Sequence, residues 1–150
     1  MGFGHGNNRR PLQGQSVPSI REDVKITLND VFDLWDTIPE MACVGLSDDE
    51  AAKRYPGERI IVGRCRFEEV ARGQISGVQD GLLKIIADHT GHKLLGVQIV
   101  GEGATELIHL GQMALLSGTS VESFVENIFN FPTLAEAYRV AALDVLERSR

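Results

Sequence analysis

A chain of 150 residues with 43% hydrophobic and 24% charged side chains has the make-up of one globular domain, long enough to bury roughly 70% of the surface its unfolded form exposes and to fold without cross-links. No apolar run approaches the ~20 residues of a membrane span, and the opening "MGFGHGNNRRPLQGQ" has no apolar core after its charges, so no secretory leader is read there and a cytoplasmic address without a membrane partner is expected. The net charge of -6, from 15 basic against 21 acidic residues spread along the chain, gives no footprint for a phosphate backbone, so nucleic acid is excluded as the expected partner.

Residues 1 to about 19 are rich in Gly and Asn and read as a flexible tail. A short helix is expected near residues 29–35, with Asn29 as its cap. From residue 37 the pattern firms: "PEMACVGLSDDEAAKRY" holds a short apolar run, then Ser47 with Glu50 three residues on. That is the capping-box signature of a short helix, ended near Tyr55 by Pro56 and Gly57. "ERIIVGRCRF" alternates as a strand, and "GLLKIIADHTGHKLLGVQIVG" reads as a hairpin turning at Thr90 and Gly91.

"GATELIHLGQMALLSG" follows as a helix with Ala104, Leu107, Ile108, Gly111, Ala114 and Leu115 on one apolar stripe. Leu110, Met113 and Leu116 form a second stripe beside it, so the helix is apolar over more than the face one sheet can cover. Gly118 stops it, Thr119 with Glu122 suggests a second capping box and a short helix to about Asn127, and Thr133 with Glu136 suggests a third, opening a last helix that runs to about residue 148. Hairpin-linked strands without βαβ alternation predict an α+β domain, an antiparallel β-sheet with helices packed on one side.

Self-contained chemistry is hard to find. The glycines of "GFGHG" (2, 4 and 6) and "GEGATE" (101 and 103) lack the parallel strand, helix and βαβ setting of a dinucleotide fingerprint. His89 and His92 flank the hairpin turn near Asp88, but no cluster supplies a third and fourth metal position; solvated turn residues and no metal are expected. His5 and His109 are isolated. Cys43 and Cys65 show neither C-x-x-C nor zinc spacing and read as two buried thiols, not a bridge. No G-x-S-x-G or H-E-x-x-H occurs, so no nucleophile or metal of a hydrolase is visible.

Four blocks in order, "IPEMACVGLSDDEA", "EEVARGQISGVQDGLLKI", "LLGVQIVGEGATELIHLGQMAL" and "FNFPTLAEAYRVAA", resemble the C-terminal dimerisation domain of the FAD-dependent pyridine nucleotide-disulfide oxidoreductases, nearest to the soluble transhydrogenase branch. The resemblance covers about residues 36–148 and leaves residues 1–35 as a separate, partly disordered segment. In the disulfide-reducing members the residue before this Pro is a His that serves as acid and base for the partner subunit's thiols, oriented by a Glu five residues on. Here Phe131 stands at the His position and Glu136 at the Glu position. A phenyl ring carries no proton, so thiol-disulfide chemistry through this loop is excluded and no catalytic residue is assigned. The transhydrogenase branch is similar in having an aromatic residue there. Glu136 then reads as a helix cap.

The resemblance further implies that the Phe131–Pro132 bond is cis, that Phe131, Pro132 and Thr133 form a loop facing the partner subunit's flavin, and that the second stripe of the 105–116 helix belongs to a two-fold interface. The family binds FAD and NAD(P) in two Rossmann-like domains upstream, so neither cofactor is expected within this chain. The implied chain is inactive alone and forms a homodimer or joins a flavoprotein subunit carrying the FAD and NAD(P) domains. The alternative is a repurposed interaction or regulatory module without a redox role, using residues 1–35 as its contact segment.

Overall fold

A computed structural model describes residues 39–150; the expected tail, the helix near residues 29–35 and the boundary at residue 35 lie outside the described residues. The elements run β1 (Met41–Gly45), α1 (Asp48–Arg54), β2 (Ile61–Arg66), a 3₁₀ turn (Phe67–Glu69), α2 (Ala71–Ser76), β3 (Leu82–Ala87), β4 (Leu94–Val100), α3 (Ala104–Ser117), α4 (Glu122–Glu126) and α5 (Glu136–Arg148). The strands form one antiparallel sheet in the order β1-β4-β3-β2. Among the described residues no helix is long and apolar enough to cross a membrane.

Alternation decides which side chains enter the core. Ala42 and Val44 of β1, Ile61 and Cys65 of β2, Leu83 and Ile85 of β3, and Val97 and Ile99 of β4 all belong to one buried cluster. The cluster is shared with α3, α4 and α5, which gather on that face as expected. Ile86 pairs with Gly96 and Ala87 with Leu94, leaving Leu95 as an extra residue on β4. This bulge sends Leu94 to the large core and Leu95 to a small cluster with Ile86 and Ala51 of α1. The short α1 therefore covers the other face, where Asp48 at its start meets Lys84 of β3 at 2.8 Å.

Helix α5 lies on β2 because Gly63 has no side chain: a Cβ there would stand 2.1 Å from the Ala141 carbonyl oxygen. The Asp144 carboxylate of α5 accepts from the outward amide of Arg64 at 2.9 Å, occupying a donor that an edge strand otherwise exposes to other chains.

Local signals held where no neighbouring group took the same atoms. Ser47 and Glu50 make both halves of the capping box, and the hairpin and α3 fall where expected. Three features differ. The 3₁₀ turn and α2 are not foreseen by the sequence reading; α2 has no side-chain cap. The Thr119–Glu122 box does not form, because the Thr119 amide donates to the Ala114 carbonyl at 2.9 Å to close α3 in the Schellman pattern, while Glu122 contacts His92. The last helix begins at Glu136, not 133: Thr133 Oγ1 donates to the Asn130 carbonyl at 2.7 Å, so only the reciprocal half of the expected box, Thr133 N to Glu136 Oε2 at 3.3 Å, is made.

Candidate functional site: the loop between α4 and α5

Residues 127–135 string α4 to α5, and the Phe131–Pro132 bond within them is cis. Phe129 and Leu134 pack against the core, whereas Ile128 is 93% and Phe131 74% exposed. The loop is thus fixed by two apolar anchors and presents two others outward. Its ends are clamped from beneath, where the rings of Phe124 in α4 and Tyr138 in α5 stack at 5.0 Å and 24°. Tyr138 is fully buried, and burial pushes its phenol well above the usual range. Its hydroxyl donates to the Leu107 carbonyl at 2.8 Å and accepts from the Gly111 amide at 3.1 Å.

The first stripe of α3 is buried or half-buried, while Leu110, Met113 and Leu116 of the second are 41%, 60% and 42% exposed. A groove between α3 and α4 is lined by Leu110 and Met113 together with Phe124, Asn127 and Phe129. The exposed stripe and the start of the loop therefore form one surface, which the sequence pattern by itself does not reveal.

The other candidate groups are placed elsewhere. His89 Nδ1 lies 3.0 Å from Glu58 Oε2, His92 contacts Glu122, and Asp88 Oδ1 accepts from Thr90 Oγ1 at 2.7 Å and the Lys93 amide at 3.1 Å. Each is engaged with a different neighbour, and among the described residues no three His, Cys, Asp or Glu side chains gather in a way that could hold a metal. His109 lies against Gln112. Both cysteines are thiols, on β1 and β2 at opposite edges of the sheet. Only Cys65 is buried, its thiol pushed up to about 12 by burial and the neighbouring Glu69. Cys43 is half-buried, since β1 alternation gives the core to Ala42 and Val44, so the expectation of two buried thiols is met at one position.

The glycines at 101 and 103 do not fit a dinucleotide. A pyrophosphate would need the free amides at the start of α3, but the Glu40 carboxylate occupies that place: Oε2 accepts from Thr105 N at 3.3 Å and from Thr105 Oγ1 at 2.9 Å. These bonds hold the Glu40 carboxyl below its ordinary range. The Glu40 carbonyl also takes the Gly101 amide at 2.8 Å. Glu40 acts across 65 residues of sequence, and no local motif announces it.

With this geometry in view, a family model described as the pyridine nucleotide-disulphide oxidoreductase dimerisation domain matches residues 34–142. A soluble pyridine nucleotide transhydrogenase of Mycobacterium bovis strain BCG is 46% identical over 115 residues, covering 76% of this chain and 24% of that protein. One from Escherichia coli is 44% identical over 141 residues, covering 91% and 28%; a match over 91% of the chain takes in part of the segment before residue 36. The chain spans about a quarter of the length of these curated relatives. Among solved structures, the HOCl-induced flavoprotein disulfide reductase RclA of Escherichia coli superposes with a TM-score of 0.64 at 22% identity, over 71% of this chain and 24% of that one. At that identity the likeness is one of fold.

Proposed function

The chain belongs to the pyridine nucleotide-disulphide oxidoreductase family through its dimerisation domain, and from that premise we propose that it serves a flavoprotein that moves hydride between NADPH and NAD. In this reading it pairs about a two-fold axis through the α3 face and lays Phe131, Pro132 and Thr133 beside the flavin of the partner subunit. The partner is a second copy or a separate flavoprotein chain.

One observation carries the reading: Phe131 is 74% exposed on a loop anchored by Phe129 and Leu134, and that loop is continuous with an unpartnered apolar helix face. A surface of this kind is a contact surface. The chemistry agrees with the relatives' printed activity. A phenyl ring neither gives nor takes a proton, so the loop contributes shape and dryness to a hydride exchange, and Glu136, which accepts from the Thr133 amide, holds the loop without an imidazole to orient. FAD and the nicotinamides supply the redox chemistry when bound by the domains that carry them.

By itself the 150-residue chain is expected to associate yet turn over nothing. The test is to supply the purified chain with FAD, NADPH and a thio-NAD acceptor while measuring its mass by light scattering. A dimer without turnover supports the proposal. Turnover comparable to that of a full enzyme would overturn the inactivity, and a stable monomer at all concentrations would overturn the two-fold role.

A further inference from the structure

We infer that the Tyr138 hydroxyl is a positioning group that ties the Phe131 loop to helix α3, so that contacts on the α3 face set the loop's placement. The Leu107 carbonyl and the Gly111 amide are the pair that a regular α-helix joins directly, i to i+4. Tyr138 sets its oxygen against both, donating at 2.8 Å to the first and accepting at 3.1 Å from the second. The site is shaped for it: a Cβ at Gly111 would stand 3.0 Å from the same hydroxyl and 2.9 Å from Val97 Cγ2.

From this contact the loop is reached by two short routes. Tyr138 lies in the first turn of α5, whose opening residue Glu136 accepts from the Thr133 amide. Its ring stacks on Phe124 of α4, the helix that ends where the loop begins. Both ends of the loop therefore rest on one ring pair, and one hydroxyl fixes that pair to α3. On the same stretch of α3, Leu110 and Met113 are exposed. A partner pressing on them moves a backbone that is bonded to Tyr138. The inference rests on the proposed function for the meaning of the α3 face, but the coupling itself is internal to the chain.

Tyr138→Phe removes the oxygen and keeps the ring stack. Amide hydrogen exchange is followed in this variant and in Ile85→Ala, a core truncation away from the hydroxyl. In Tyr138→Phe the amides of residues 127–135 and of 107–113 are expected to exchange faster by about fivefold or more, a larger rise than in β3 and β4; in Ile85→Ala the order reverses. Gly111→Ala, which crowds the same hydroxyl, reproduces the loop-centred pattern. A Tyr138→Phe loop exchanging at the wild-type rate while the sheet loosens would assign the hydroxyl a purely structural role and overturn the inference. A concentration series adds the second reading: wild-type loop exchange slows as the chain associates, and that response is absent in Tyr138→Phe. A wild-type chain that stays monomeric defeats the two-fold reading alone, since the exchange comparison in the monomer still decides the role of Tyr138.

Discussion

The β3–β4 hairpin with α5 and the α3–α4 side with its loop are built from similar apolar material and end in opposite conditions. Leu83, Ile85, Val97, Ala141 and Val145 are sealed from solvent, with Gly63 making room for Val145 and Gly111 for Val97. Across the domain Leu110, Met113, Leu116, Ile128 and Phe131 remain exposed. In the first region Leu143 of α5, at 47%, is the one large apolar side chain left exposed; the second has several that its own chain does not cover. Stability is therefore concentrated in one half and association in the other.

The largest effect that tests this division is Ile85→Ala, which deletes atoms from the sealed half and is expected to lower unfolding stability by about 2–5 kcal/mol. Met113→Ala on the open half should stay within about 0.5 kcal/mol. Urea titrations at a concentration low enough to keep the chain dissociated compare the two, and equal losses would erase the distinction. Next in size is Met113→Glu, read as association. It should weaken self-association at least about tenfold, or about 1.4 kcal/mol, with unchanged far-UV circular dichroism. Sedimentation equilibrium showing wild-type affinity in this variant would move the contact surface away from α3.

The sealed half is also the more legible one. Its signals are local: β3 and β4 alternate about a Thr90-Gly91 turn, and Ser47 with Glu50 marks α1 within four residues. The double stripe of α3 is legible for the same reason, down to the stripe left uncovered. What the sequence hides depends on atoms far along the chain. Glu40 caps α3 across 65 residues, and Tyr138 reaches Leu107 across 31. The 3₁₀ turn at Phe67 rests on a ring packed beneath Gly81. The capping boxes at Thr119 and Thr133 are misleading as patterns because a nearby carbonyl accepts from the Thr119 amide in one case, closing α3, and from the Thr133 hydroxyl in the other, folding the loop.

The smallest effect separates the two halves by charge. Hydrogen bonds from Thr105 lower the Glu40 carboxyl on the α3 side, and the hydrogen bond and charge of Lys84 lower that of Asp48 against β3. A carboxyl held low in the folded state stabilises fully above its unfolded value, and that stabilisation fades as pH falls through the folded value, which lies below the ordinary carboxylate range for both groups. Glu40→Gln keeps an acceptor near Thr105 but loses the charge at the helix start, and at pH 7 it should cost about 1 kcal/mol, as loss of a helix cap does. The gap between variant and wild type should narrow as pH falls below the ordinary carboxylate range and close once the wild-type carboxyl is protonated. Asp48→Asn should cost less, because its ion pair is partly exposed and screened, and its effect should appear in the exchange of α1 and not of α3. Urea midpoints measured at pH 7, 5, 4 and 3 decide the matter: a Glu40→Gln gap that persists undiminished into acid would mean that shape, not charge, seats α3 on the sheet.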